Sequence, residues 1–198
     1  MRILVIGATG TIGRAVVAAL SAGNEIISAS HRNAAVKFDM ADPASIRQMY
    51  RSLGKLDAVV CAAGQAKFAP LDHLSDADFG FSVDNKLMGQ VNVVRFGFEH
   101  VTDGGSFTLT TGVLAQAPML GSAAVSLVNA GVEGFVRAAA LEAPRRIRVN
   151  AVSPPWLTET LQALKMDTSQ GLPAAVVARA YVRSVAGTET GATLKPSP

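Results

Sequence analysis

The sequence predicts a doubly wound α/β fold, a parallel sheet of about seven strands flanked by helices. Three observations carry that prediction. Short apolar runs alternate with longer segments of helical period along nearly the whole chain. The first apolar run ends in a glycine-spaced turn that opens a helix. Strands separated by helices pair in parallel through right-handed crossovers. No repeat, low-complexity tract or linker interrupts the 198 residues, so residues 1–198 are expected to form one domain.

The elements follow in order. "RILVIGA" reads as a buried strand, and "GRAVVAALSAG" as a helix stopped by Gly23. "EIISAS" is a second strand, and "AVKFDM" a third with almost no room for a helix before it. "DPASIRQMYRSLG" is a helix, with Asp42 as its cap before Pro43. "LDAVVCAAG" is the fourth strand. "SDADFGFSVDNKLMGQVNVVRFGFEHV" is one long helix, with Ser75 or Asp76 near its start. "GGSFTLTTG" is the fifth strand, "GSAAVSLVNAGVEGFVRAAALEA" a long apolar helix, and "IRVNAVSP" the sixth strand. "PAAVVARAYVRSVAG" closes the set as a helix, followed by "GATLKP" as a short last strand. "QAKFAPLDHL" and "KMDTSQGLP" are the expected mobile loops.

Composition narrows the class. Hydrophobic residues make up 49% and charged residues 17%, which excludes disorder. The net charge of +3 comes without a basic run or aromatic-interleaved patch, so no nucleic acid is expected. The single cysteine, Cys61, lies in an apolar strand and reads as a core thiol. One cysteine forbids an internal disulfide, which fits a reducing compartment. The apolar N-terminus is too short to span a membrane and has no signal-peptide pattern. The expectation is a cytoplasmic protein that does not engage a membrane.

"GATGTIG" places Gly7, Gly10 and Gly13 between the first strand and its helix. Gly7 permits the tight turn, Gly10 lets the backbone approach a pyrophosphate, and Gly13 lets the helix pack close to the strand. The free N–H groups of the first helical turn then face a diphosphate. At the end of the second strand a carboxylate would bind a ribose 2′-hydroxyl and repel a 2′-phosphate. Here stand Ser30, His31 and Arg32. The guanidinium suits a phosphate, so NADP(H) is expected over NAD(H). Arg14 is either a second cation for the cofactor or a solvated residue of the first turn.

Six stretches in their order resemble the short-chain dehydrogenase/reductase family: "GATGTIG", "FDM", "CAAG", "FTLTTG", "NAGVEGF" and "RIRVNAVSPP". The resemblance implies a seven-stranded Rossmann sheet and hydride transfer between NAD(P)(H) and a small carbonyl or alcohol. It implies cofactor contacts from Gly7, Thr9, Gly10, Thr11, Ile12, Gly13, Ser30, His31, Arg32, Asp39, Met40, Ala62, Ala63, Gly64 and Pro154. The family also implies a homo-oligomer, here through the long helices around 85–98 and 123–142.

The reaction centre departs from the family. A helical Tyr-x-x-x-Lys places phenol and ammonium on one helix face. Anchoring on "NAGVEGF" puts Val125 in the tyrosine slot and Asn129 in the lysine slot. Valine transfers no proton, and asparagine carries no charge. Tyr50 and Tyr181 lie elsewhere and read as packing residues. The serine slot falls at Thr111 or Gly112, and Thr111 keeps the hydroxyl. Phe79, seven places before "KLMG", registers Lys86 rather than Asn85 with the family's helix asparagine. Lys86 is then either part of the relay or a solvated lysine. Ser122 and Ser126 share the stripe of Asn129, either reaching substrate and ribose or allowing close packing. Thr158 and Thr160 flank the usual threonine position, and Trp156 either covers a pocket or packs. His31 is placed beside the cofactor phosphate; His73 and His100 read as surface residues, and no metal is expected. Two functions follow: an NADP(H)-dependent oxidoreductase whose relay uses Lys86, Thr111, Ser122, Ser126 and Asn129, or a silent NADP(H)-binding sensor or regulator.

Overall fold

The computed structural model describes residues 1–198. Seven parallel strands form one sheet in the order β3-β2-β1-β4-β5-β6-β7. They are β1 (Arg2–Ile6), β2 (Glu25–Ser30), β3 (Val36–Lys37), β4 (Leu56–Cys61), β5 (Val101–Thr110), β6 (Arg148–Val152) and β7 (Thr193–Leu194). The chain winds outward from β1 to β3, then returns to lay β4 against the other side of β1. That reversal opens a crevice at the carboxyl ends of β1 and β4, where such sheets bind ligands.

Side-chain alternation along the strands divides the core. Leu4 and Ile6 of β1 point to one face, with Val59 and Cys61 of β4 and Phe107 and Leu109 of β5. There they meet α2 (Pro43–Leu53), α4 (Gly89–Gly97) and α5 (Ala123–Glu142). Ile3, Val5, Ala58 and Val60 point to the other face, against α1 (Thr11–Leu20) and α7 (Ala174–Ala186). A period of two is what a strand buried on both faces requires. The same alternation turns Thr108 and Thr110 toward α7. Their hydroxyls pair with Ser184 Oγ and Tyr181 Oη at 2.7 Å each, so these buried polar groups are satisfied.

α5 is long and apolar enough to cross a membrane by length and composition. Its Val128, Val132 and Val136 are fully buried within the fold, as expected of a core helix. Tyr50 and Tyr181 are likewise fully buried, and each Oη has a partner: Tyr50 donates to the Val93 carbonyl at 2.7 Å. Both are packing residues, as expected. His100 is not a plain surface residue, because its ring stacks on Tyr50 with 5.1 Å between centroids.

Three elements differ from expectation. The third strand is only Val36–Lys37, because Asp39 accepts from the Ala41 N–H and turns the chain toward the crevice. The long helix starts where expected, and of the two residues named there Ser75 is its cap, in a capping box with Asp78. It is not uniform, however: α3 (Asp76–Ser82) passes into a π turn over Val83–Met88 before α4. A short helix, α6 (Thr158–Ala163), occupies the segment after β6. The loop "QAKFAPLDHL" is tied down along its length. Gln65 N–H donates to Asn85 Oδ1, Lys67 N–H to Ser82 Oγ, and Ala69 N–H to the Gly121 carbonyl.

Candidate active site

The crevice has two connected lobes that share Ala63 and Gly64. The first, of about 660 Å³, is lined by Gly7, Thr9, Ser30, His31, Arg32, Asp39, Met40, Ala63 and Gly64, and also by Asn33, Phe38, Phe81 and Asn85. The second, of about 280 Å³, takes Ile12, Ala62, Lys86, Thr111, Asn129, Pro154, Trp156 and Thr160 among its walls. Gly10, Thr11 and Gly13 form the loop and first helical turn between them.

The glycine loop is shaped by close approaches. Gly7 has φ +80°, and a Cβ there would stand 2.7 Å from the Ala62 carbonyl oxygen. A Cβ on Gly13 would stand 1.9 Å from the Gly7 carbonyl oxygen, so α1 can sit this close to β1 only with glycine. Gly10 is exposed, and a Cβ there would stand a tight 3.3 Å from the Gly7 carbonyl oxygen, so glycine leaves the backbone bare on its solvent side. Gly10 is also the N-cap of α1, with no side-chain cap and no acidic residue in the first turn. The helix therefore presents N–H groups and the positive end of its dipole to the crevice. Arg14 is exposed and donates to the Thr9 carbonyl at 2.7 Å, so it braces the loop. At the far end His31 and Arg32 are exposed on the rim. Ser30 is buried and donates to the Arg32 carbonyl, which fixes the turn that carries the guanidinium.

In the second lobe, Asn129 is 2% exposed and its Oδ1 has no hydrogen-bond partner. A buried acceptor without a partner costs roughly 1–3 kcal/mol, which a bound hydroxyl or N–H would relieve. Thr111, 2% exposed, directs its hydroxyl to the Asn129 carbonyl at 3.0 Å and Glu133 Oε1 at 3.2 Å. Both partners are acceptors, so its one proton is held by α5 and only its lone pairs remain for a ligand. Glu133 is buried and also accepts from Gln116 Nε2. Gln90, fully buried, clamps the end of β5 by bonding both the Thr110 N–H and the Thr110 carbonyl. Neither is among the residues the sequence singles out; a lone carboxylate four residues past Asn129 in an apolar helix is the signal it holds for Glu133.

Lys86 sits in the π turn, its stem against Gly64. A Cβ on Gly64 would lie 2.9 Å from Lys86 Cγ. The ammonium takes part in none of the ion pairs. Burial lowers its pKa from 10.5 to about 8, with the Cys61 thiol acting weakly the other way. Cys61 itself is pushed up to about 12 by burial, so it stays a neutral core thiol. Asn85, one residue earlier, faces the first lobe and holds the Gln65 N–H at 2.7 Å. The π turn thus sends adjacent side chains to different lobes.

Lys86, Thr111 and Asn129 are brought together; Ser122 and Ser126 are not with them. Both serines line a separate cavity with Phe68 and Met119, and Ser122 Oγ donates back to the Met119 carbonyl. They share a helix face with Asn129, but Ser122 lies seven residues, or about 10 Å, along the axis. Val125 lines neither lobe. Of the two threonines after β6, Thr160 reaches the second lobe and Thr158 does not.

Comparison with known proteins adds three findings. Residues 11–194 match the family model described as enoyl-(acyl carrier protein) reductase. Among solved structures, the protein lin1944 from Listeria innocua is 41% identical, with TM-score 0.95 over 98% of each chain. A small-chain dehydrogenase in complex with NADPH has TM-score 0.87 at 23% identity over 98% of this chain and 95% of its own, a likeness of fold. Among curated proteins, hydroxynaphthalene reductase arp2 of Aspergillus fumigatus is 32% identical over 110 residues, 55% of this chain and 40% of its own. The chain spans about half the length of the curated relatives it matches.

Proposed function

The chain belongs to the short-chain dehydrogenase/reductase family, whose relatives here are oxidoreductases, and we propose that it is an NADP(H)-dependent reductase of a small carbonyl compound with a lysine-based proton relay. The observation that carries this reading is Lys86, the one ionisable side chain lining the second lobe, in a family member without the usual tyrosine. A neighbour of the same fold binds NADPH, which agrees with the Arg32 rim.

The residues present fit a dinucleotide. The exposed backbone at Gly10 and the uncapped start of α1 would take the diphosphate. His31 and Arg32 would hold the 2′-phosphate, and Asp39 and Met40 would flank the adenine end. The unpartnered Asn129 Oδ1 would accept from the nicotinamide ribose. The nicotinamide, when bound, supplies the hydride. Lys86 then does what the missing phenol does elsewhere: its ammonium polarises the carbonyl and gives up a proton to the oxygen. Thr111 contributes lone pairs that orient the donor, and Trp156 and Pro155 wall the lobe against water. Leu127 and Leu141, exposed on α5, suit packing of a second copy against that helix.

A silent cofactor-binding sensor draws on the same lost tyrosine. The lysine open to the lobe argues for turnover. Titration of NADPH and NADH into the protein and into Arg32→Ala tests the cofactor reading. NADPH should bind at least about tenfold more tightly, and Arg32→Ala should remove most of the difference. Equal affinities for the two cofactors in the unaltered protein overturn it.

A further inference from the structure

We infer that the substrate is a small 2-oxo acid, its carboxylate and adjacent carbonyl oxygen both resting on the Lys86 ammonium. The inference rests on the cofactor reading above and names the substrate of that same site.

The second lobe carries one charge. None of its lining residues is Asp or Glu, and Lys86 stands alone as an ionised group. No ion pair or side-chain hydrogen bond occupies the ammonium, and Lys86 as a whole is half-buried. A partly desolvated cation without a counter-ion calls for one from the ligand. The dinucleotide does not supply it: its phosphates fit the start of α1 and the Arg32 rim in the first lobe, and the nicotinamide ring is neutral or positive. The remaining source is the substrate.

Geometry selects the kind of anion. An ammonium has three donors on one tetrahedral centre, enough to bond two adjacent oxygens at once. A 2-oxo acid offers that pair, the reacting carbonyl oxygen beside a carboxylate oxygen. A neutral ketone fills one donor and leaves the charge uncompensated. The lobe of about 280 Å³ must also take the nicotinamide, so the acid is small. Leu114, Val113 and Trp156 offer an apolar wall for a short side chain. In the reaction, a C–H bond forms at C2 with the hydride from the reduced nicotinamide. The carbonyl π pair moves to oxygen, which takes a proton from Lys86. The products are a 2-hydroxy acid and oxidised cofactor, and water reprotonates the amine.

The test uses oxamate, an unreactive 2-oxo acid analogue, in calorimetry on the NADPH-saturated protein, beside turnover of pyruvate and of butane-2,3-dione, its neutral isostere. Oxamate should bind, and Lys86→Met should weaken it at least about tenfold, the worth of a charge-assisted contact. Pyruvate should have the higher kcat/KM. Lys86→Arg, which keeps the charge but cannot release a proton, should retain oxamate binding and lose turnover. If NADPH binds but oxamate does not, or Lys86→Met binds oxamate equally well, the inference falls while the cofactor reading stands. If the dione is the better substrate, the inference falls too. If NADPH does not bind, the reading beneath it falls with it.

Discussion

Lys86→Met should make the protein more stable, because the lysine is kept at a cost. Its ammonium is held at about 8 against 10.5 for an ordinary lysine. Each unit corresponds to about 1.4 kcal/mol, which sets a ceiling of about 3 kcal/mol on the destabilisation at neutral pH. The ammonium still meets water in the open lobe, so about 1–2 kcal/mol should survive. Methionine matches the length and helix propensity of lysine and fills the same channel beside Gly64. Urea unfolding at pH 7 should therefore shift the midpoint upward by about 0.5 M. The sign with pH is fixed. The folded value lies below the unfolded one, so between about 8 and 10.5 the unfolded chain binds more protons and the unaltered protein gains stability as pH rises. The gap between the two proteins should be full at pH 7 and close toward pH 10.5. Equal midpoints at pH 7, or a gap that stays constant across that range, refute the reasoning.

Other outcomes follow from the same geometry. Gly10→Val puts a Cβ 3.3 Å from the Gly7 carbonyl oxygen and a poor N-cap on α1, so urea unfolding should lose about 1 kcal/mol while calorimetric NADPH affinity falls more than tenfold. Gly13→Ala forces a Cβ to 1.9 Å from a backbone oxygen and should lower the melting temperature as well. Asn129→Leu removes the unpartnered Oδ1, so the free protein should gain up to about 1 kcal/mol in urea unfolding while NADPH binds more weakly. Tyr181→Phe breaks the bond to Thr110 and should cost about 1 kcal/mol in urea unfolding with unchanged turnover, which would separate this phenol from the relay.

Much of this was legible because it rests on steric necessity. Gly7 and Gly13 could be read because nothing larger fits where a helix begins this close to a strand. The sheet could be read because strands buried on both faces are written as continuous apolar runs. What escaped was decided by contacts distant in sequence. "VDNKLM" contains no glycine or proline to announce a π turn, and the turn is set by how α3 and α4 seat against the crevice. The third strand reads longer than it is because Phe38 and Met40 are both buried, yet past the Phe38 N–H bond to the Ser30 carbonyl the chain leaves the sheet. Ser122 and Ser126 were assigned from angular position on the helix, while height along the axis decides which cavity they meet. Lys86 was registered from Phe79, and the structure places it in the lobe with Thr111 and Asn129.

The π turn has a consequence for how such a site can change. A helix that holds one surplus residue has a spare step. Removing any one residue between Val83 and Met88 would let α3 and α4 join as an ordinary helix. The turn already absorbs that residue, so the faces of α3 and α4 would keep their register, while side chains inside the turn would shift by up to about a hundred degrees. The amide of Asn85 and the ammonium of Lys86 would exchange addresses or lose them, with no chemical substitution at either position. Charge at the reaction centre in this chain is thus governed by residue count as much as by residue identity, and a single-codon deletion is the smallest edit that would rewrite it.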